Sequence, residues 1–97
     1  MNYTWADVEA YDDMIDSLAQ FCESVEAGSQ TMVQAGQTCV DALQEDLSSL
    51  KAYKRILTCV KQYQDAVERA KALGNALIQE REAIVEYLRI TEGLDEE

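Results

Sequence analysis

Gln44-Glu45-Asp46-Leu47-Ser48-Ser49 decides the fold. On either side of this polar run, apolar residues recur with heptad spacing over the length of a long helix. Within it the spacing lapses, and Asp46 or either serine can cap a new helix. The stretch is therefore predicted to be the only turn, about 44–49, between a helix over about 5–43 and a helix over about 50–92, followed by a frayed acidic tail at 93–97. Two long helices joined by so short a turn lie antiparallel. The predicted fold class is all-α: a long antiparallel two-helix hairpin, in a single domain spanning 1–97.

Upstream of the turn, Thr4 suits the N-cap position and Asp7, three residues on, completes a capping-box-like pair. Tyr3 can pack on Val8 as a hydrophobic staple. Asp7, Glu9, Asp12 and Asp13 lie where the helix dipole favours negative charge. The heptad predicts one seam position at Tyr11, Leu18, Val25, Met32 and Cys39, and a second at Met14, Phe21, Gly28, Ala35 and Ala42. Ile15, Cys22 and Leu43 widen that stripe. Downstream, the two positions are Ile56, Tyr63, Ala70, Leu77, Ile84 and Cys59, Ala66, Leu73, Glu80, Tyr87, broadened by Val60, Val67 and Leu88. Gly93 followed by Leu94 fits a helix stop near Thr91–Glu92.

Folding about residue 49 sets Gly28 opposite residue 70 and Ala35 opposite residue 63. Small residues there would let the two backbones approach. Gly28-Ser29 and Gly74-Asn75 either kink the helices or break them into shorter pieces; the heptad stays in phase through both points.

Composition supports helices. The 97 residues include no Pro and four Gly, and 47% are apolar, which does not suit a multi-strand fold with its regular turn chemistry. A chain this short buries a modest share of its surface, which favours association with a partner. Residues 1–50 hold ten acids and no Lys or Arg, whereas 51–97 hold nine acids and all eight basic residues. The formal charge is −10 on the first part and −1 on the second, a balance that repels nucleic acid and anionic lipid. No apolar run is long enough to span a bilayer, so no membrane insertion is expected. Met1–Asp7 has neither a positive cluster nor an apolar core, so no signal peptide is expected and the cytoplasm is the default compartment.

The chemistry-bearing residues are sparse. With no His and no paired Cys-x-x-Cys, neither a zinc nor a di-iron site is expected, and no cofactor is implied. Three cysteines fit no disulfide framework. Cys39 and Cys59 lie at matched distances from the turn and read either as a disulfide or as two buried reduced thiols. The clusters Asp12-Asp13-Asp16 and Asp41-Glu45-Asp46 lack the spaced ligand loop of a calcium site and read as solvated helix face. Paired-carboxylate catalysis needs a desolvated member, and nothing in the pattern marks one. Chorismate mutase, a small helical enzyme class, would need several inward basic residues; Arg55, Arg69, Arg81 and Arg89 are the candidates, all on one helix. The chain is read as non-enzymatic.

Glu80 and Arg81, on and beside the seam, form either an ion pair that selects a partner or register, or the exposed end of the seam. Tyr3, Trp5 and Tyr11, with Tyr87 and Leu88 across the hairpin, form either an aromatic docking patch or the closure of the open end. Lys51, Tyr53, Lys54, Arg55, Lys61 and Tyr63 interleave base and aromatic as nucleic-acid binders do, but the acidic total opposes that partner.

A proline-free acidic hairpin of this length resembles the WXG-type (ESX-like) small proteins of bacterial type VII secretion, and the small α-helical partner proteins of LXG toxins. The Trp-x-Gly of the WXG turn is replaced here by Glu45-Asp46-Leu47-Ser48-Ser49, and the lone Trp is Trp5. Of that family's C-terminal Tyr-x-x-x-Asp/Glu signal, Tyr87 keeps the aromatic and Leu88 with Glu92 keeps the spacing. The resemblance implies a small partner, targeting factor or substrate that binds a helical domain of a larger effector. Tyr87, Leu88 and Glu92 would be its export signal, by a Sec-independent route.

The function expected is therefore a helix–helix interaction protein whose hairpin pairs into a four-helix assembly with a helical partner, as a homodimer or a heterodimer. Its expected partner-binding residues are Leu18, Phe21, Val25, Val60, Val67, Leu77, Ile84 and Leu88. The alternative is a cytosolic acidic regulator, of the phage or mobile-element antitoxin or anti-activator type, that covers a basic surface.

Overall fold

A computed structural model of the chain describes the backbone of residues 2–44 and 46–95, with side chains as far as Gly93. Among these residues are two helices, α1 (Trp5–Ala42) and α2 (Leu47–Asp95), and no strand. The architecture is an all-α hairpin.

The entry to α1 forms as its residues dictate. The Thr4 amide donates to Asp7 Oδ2 at 2.7 Å, and the Asp7 amide donates to the Thr4 carbonyl at 3.0 Å. The Thr4 hydroxyl donates to the same carboxylate oxygen at 3.3 Å. The acid thus reaches back to the cap residue, as in a capping box, while the hydroxyl supports the acid instead of an amide. Tyr3 packs against the buried cluster of Val8, Ile84 and Leu88, so the staple closes.

The turn is tighter than the polar run suggests. Gln44 adopts φ 54°, a left-handed backbone usually left to glycine after a helix. Its amide donates to the Asp41 carbonyl at 3.3 Å, which satisfies one of the acceptors orphaned at the end of α1. Asp46 then caps α2: its Oδ2 accepts from the Ser48 amide at 3.1 Å, and its carbonyl accepts from the Ser49 hydroxyl at 2.8 Å. With Asp46 as cap, Leu47-Ser48-Ser49 become the first turn of α2 rather than part of a loop. Glu45 lies outside the described residues.

At the other end, α2 runs through Gly93 to Asp95, and Gly93 has no positive φ. The stop expected at Thr91–Glu92 does not form. A Cβ at Gly93 would meet nothing within 4 Å, so no packing holds the backbone in a left-handed stop. Of the expected frayed tail, Glu96 and Glu97 lie outside the described residues. Gly28 and Gly74 neither break nor cap a helix.

The chain packs as two compact units, residues 1–20 with 70–97, and residues 21–69. In the first, Val8, Ile84 and Leu88 make the core, with Tyr3, Tyr11 and Val85 against it. In the second, Cys22, Val40, Val60 and Val67 are buried. The Cys22 thiol donates to the Val67 carbonyl at 3.8 Å. Gly36 is the close approach: a Cβ there would lie 2.8 Å from Tyr53 Cδ2 and 3.0 Å from Ile56 Cδ1.

These contacts correct the expected register. Folding about residue 49 would set Gly36 against residue 62 and Cys22 against residue 76. The observed partners, Tyr53 and Val67, lie about two and a half helical turns nearer the turn. The cause is the Asp46 cap, which moves the fold point back toward Gln44. The seam is corrected with it. Met14, Phe21, Gly28, Ala35 and Ala42 are all exposed, as are Cys59, Ala66, Leu73, Glu80 and Tyr87. The first expected row holds, with Tyr11, Leu18, Val25 and Met32 in α1 and Ile56, Ala70, Leu77 and Ile84 in α2 buried or half-buried. The second inward row lies one residue later than expected, at Val8, Ile15, Cys22, Ser29 and Gly36 in α1 and at Tyr53, Val60, Val67, Gly74, Arg81 and Leu88 in α2, also buried or half-buried. Gly28, on the outer row, has open space around it; a Cβ at Gly74 would also meet nothing within 4 Å, and the close-packed glycine is Gly36.

Three consequences for stability follow from this packing. Ala in place of Gly28 or Gly74 keeps the helix and meets nothing, so each substitution is expected to stabilise by about 1 kcal/mol. Gly36→Ala must displace the Tyr53 ring edge and the Ile56 terminus, and is expected to destabilise by up to about 2 kcal/mol. Ser29 is 7% exposed and its hydroxyl has no hydrogen-bond partner among the described residues. Ser29→Ala is expected to stabilise by about 1 kcal/mol by removing that buried unpaired group. Urea unfolding followed by circular dichroism tests all four; a Gly36→Ala gain equal to that of Gly28→Ala would contradict the register.

Candidate functional site

Most of the expected partner-binding residues hold the chain's own helices together. Val60, Val67, Ile84 and Leu88 are buried, and Leu18, Val25 and Leu77 are half-buried. Phe21, at 46% exposure, is the one that remains on the surface. The reason is the seam shift: the row containing Phe21 lies outside the inward row by one residue.

The expected export-signal residues are also engaged within the chain. Leu88 is part of the buried cluster. The Tyr87 ring stands edge-on to Tyr3, with centroids 6.1 Å apart and planes at 79°, a favourable aromatic geometry. Glu92 Oε1 accepts from the Trp5 indole N–H at 2.6 Å. The Tyr87–Glu92 segment is thus docked on the start of α1, and only the Tyr87 face and the helix exterior are open.

In the unit made by residues 1–20 and 70–97, the aromatic side chains frame a recess. Tyr3, Tyr11, Glu80, Ala83, Ile84 and Tyr87 line a cavity of about 250 Å³. The spacing places them there: Tyr11 and Ile84 belong to inward rows, while Glu80 and Tyr87 sit one heptad apart on the row just outside. The Tyr11 hydroxyl donates to Glu80 Oε2 at 2.9 Å. Beside it, the Arg81 Nε donates to Asp12 Oδ1 across the two helices. Both partners of that pair are about a third or more exposed, so it contributes at most about 1 kcal/mol. Glu80 and Arg81 therefore pin the register of this chain's own helices, one through a tyrosine and the other through an acid.

The hydrogen bond to Glu80, followed by desolvation and the Glu80 charge, raises the Tyr11 phenol above its ordinary value of 10.0. A raised phenol value means the folded state holds the proton more tightly. The contribution of this bond is complete below the free-phenol value and is lost as pH rises through the raised one.

Outside the recess, the surface carries exposed apolar side chains. The unit with the recess exposes Met14, Leu73, Ile78 and Ile90; the other unit exposes Phe21, Leu43, Leu47, Leu50, Leu57 and Tyr63. Cys39 and Cys59 are exposed free thiols, neither bridged nor buried, because the shifted register no longer sets them opposite each other. Of the four arginines weighed as anion ligands, Arg55, Arg69 and Arg89 are exposed and Arg81 is tied to Asp12. Among the described residues no group of three or more His, Cys, Asp or Glu gathers as metal ligands, and no helix is long and apolar enough to cross a membrane.

The Tyr11–Glu80 pairing is what sequence pattern alone misses. The aromatic cluster and the seam acid are each visible in the sequence, but only the register joins them. Compared with models of protein families, with curated proteins and with solved structures, the chain has no match in any of the three.

Among the five tyrosines, Tyr11 is expected to ionise last in an alkaline titration followed by near-ultraviolet absorbance. Tyr11→Phe should delete that late step, and Glu80→Gln should bring it closer to the others. A late step that survives Tyr11→Phe would assign it to another tyrosine.

Proposed function

We propose that this protein is a non-enzymatic helix–helix interaction protein that completes its fold by packing on another helical protein. The observation that carries this is its surface. A folded monomer of 10.9 kDa exposes about 5,600 Å², whereas this chain exposes 7455 Å². The excess of roughly 1,900 Å² is more than the ~800 Å² that one partner contributes to a standard interface. Much of it is apolar: twelve large hydrophobic side chains are exposed among the described residues, far more than scattered surface apolars require. A helical hairpin with apolar residues left over on both helices is suited to pair with a second hairpin as a four-helix assembly.

The resemblance to the WXG-type proteins and LXG-toxin partners gives this interaction a role, that of a small partner, targeting factor or substrate of type VII secretion bound to a helical domain of a larger effector. The exterior of the Tyr87–Glu92 segment would carry the export signal. Deletion of residues 87–97 would also remove Leu88 from the core, so Tyr87→Ala, which leaves Leu88 in place, is the cleaner probe of export.

A second role is favoured by charge. The unit made by residues 1–20 and 70–97 holds twelve acids against three basic residues, as suits a cytosolic regulator that covers a basic surface. The two roles respond differently to salt. A complex made through acidic side chains weakens steeply as salt rises, and apolar four-helix packing does not.

The decisive measurement is the mass of the purified protein in solution, alone and with the product of the neighbouring gene. A dimer or a complex is expected. Leu50→Glu with Leu57→Glu should weaken it at least tenfold while helix content by circular dichroism is unchanged, because both side chains are exposed. A stable monomer that binds no helical protein would overturn the proposal.

A further inference from the structure

The recess between Tyr3, Tyr11 and Tyr87 has a chemistry that neither the hairpin core nor an apolar partner surface requires. It is lined by three tyrosines, by Ala83 and Ile84, and by one acid, Glu80. An aromatic ring offers a negative face to a cation, and several rings around a carboxylate make a combined site for a positively charged organic head group. From these features we infer that the recess is a binding site for an organic cation, an alkylammonium or guanidinium group.

Several independent observations support this assignment. The rings are held in place: Tyr3 and Tyr87 brace each other edge to face, and Tyr11 is fixed by its hydrogen bond to Glu80. Glu80 keeps acceptor capacity beyond that bond, since an ionised carboxylate accepts several hydrogen bonds. No Lys or Arg is paired with it among the described residues, because the adjacent Arg81 is committed to Asp12. The volume of about 250 Å³ lies below the range of roughly 300–1,000 Å³ for drug-sized ligands and suits a head group instead. The unit around the recess is strongly acidic, with twelve acids against three basic residues, so its field attracts cations and repels anions. A purely structural closure of the helix ends would need the apolar rings but not a carboxylate beside them; Glu80 is exposed, so its charge is open to a cation that enters from solvent.

The cation could be a free small ammonium compound or the side chain of a Lys or Arg on a protein. The inference does not depend on the proposed function, because small ions test it without any protein partner. Titration of the full chain with tetramethylammonium, n-butylammonium and ethylguanidinium chlorides, at constant ionic strength, is followed by NMR of the tyrosine ring signals. Saturable shifts are expected at Tyr3, Tyr11 and Tyr87, and not at Tyr53 or Tyr63. The uncharged isostere tert-butanol should leave those signals unsaturated. Glu80→Gln keeps an acceptor for Tyr11 and removes the charge, and should weaken binding about tenfold; Tyr87→Ala should weaken it comparably with helix content retained. Tighter binding of n-butylammonium and ethylguanidinium would identify a protein side chain as the occupant, and tighter binding of tetramethylammonium a free quaternary ammonium compound. Absence of saturation, an equal response to tert-butanol, or indifference to Glu80→Gln would each overturn the assignment.

Discussion

At Gln44 the backbone enters the left-handed region without a glycine to ease it, and two residues later Asp46 accepts the Ser48 amide in the first turn of α2. Between them these residues set the register. Because side chains repeat along a helix every 3.6 residues, a change in the length of the turn rotates and slides α2 against α1. Everything that depends on cross-helix pairing then follows: Gly36 under Tyr53, Cys22 on the Val67 carbonyl, Tyr11 on Glu80 and Arg81 on Asp12. The strain at Gln44 is local, and the gain is distributed over many packed pairs.

The pattern of the sequence carried the gross architecture because its strongest signals are local. The Thr4–Asp7 cap, the heptad and the lack of proline each act within one or two helical turns, and together they account for two long helices, although α2 starts earlier and ends later than they place it. What the pattern could not carry was non-local. Heptad spacing alone does not distinguish the row of Met14 and Phe21 from the row of Ile15 and Cys22, since both are rich in apolar residues one position apart. The choice between them rests on where the chain folds back, and Leu47-Ser48-Ser49 could serve equally as loop or as first helical turn until Asp46 is seen to cap them. The recess was half legible for the same reason: its tyrosines were visible as a cluster, and its carboxylate was visible as an acid on a seam, but their meeting is a matter of register. Gly93 shows the limit of a local signal, since a glycine without packing around it simply continues the helix.

The seam shift also changes what the surface says. Residues that seemed suited to a partner, Val60, Val67, Ile84 and Leu88, already complete this chain's own core. The residues left for others are Phe21, the one expected partner residue still on the surface, and Leu73, which the pattern placed on the seam, together with the leucines near the turn. Charge is redistributed in the same way. Grouped by packing unit instead of by position along the chain, the acids gather where the first and last stretches meet: residues 1–20 with 70–97 carry a formal −9, and residues 21–69 carry −2. An acidic unit with an aromatic recess and a nearly neutral unit with exposed leucines are two different kinds of surface on one small chain.

Trp5 is the lone tryptophan of the sequence, and its indole N–H is given to Glu92 on the last turns of α2. A carboxylate beside an indole alters its excited state, so the intrinsic fluorescence of this protein is tied to one contact between the two chain ends. Those ends are where a long helical pair opens first, by local excursions that need not disturb the rest of the molecule. Emission and helix content therefore report different events, the first a parting of the ends and the second the loss of the hairpin. The chain carries its own probe for telling fraying from unfolding.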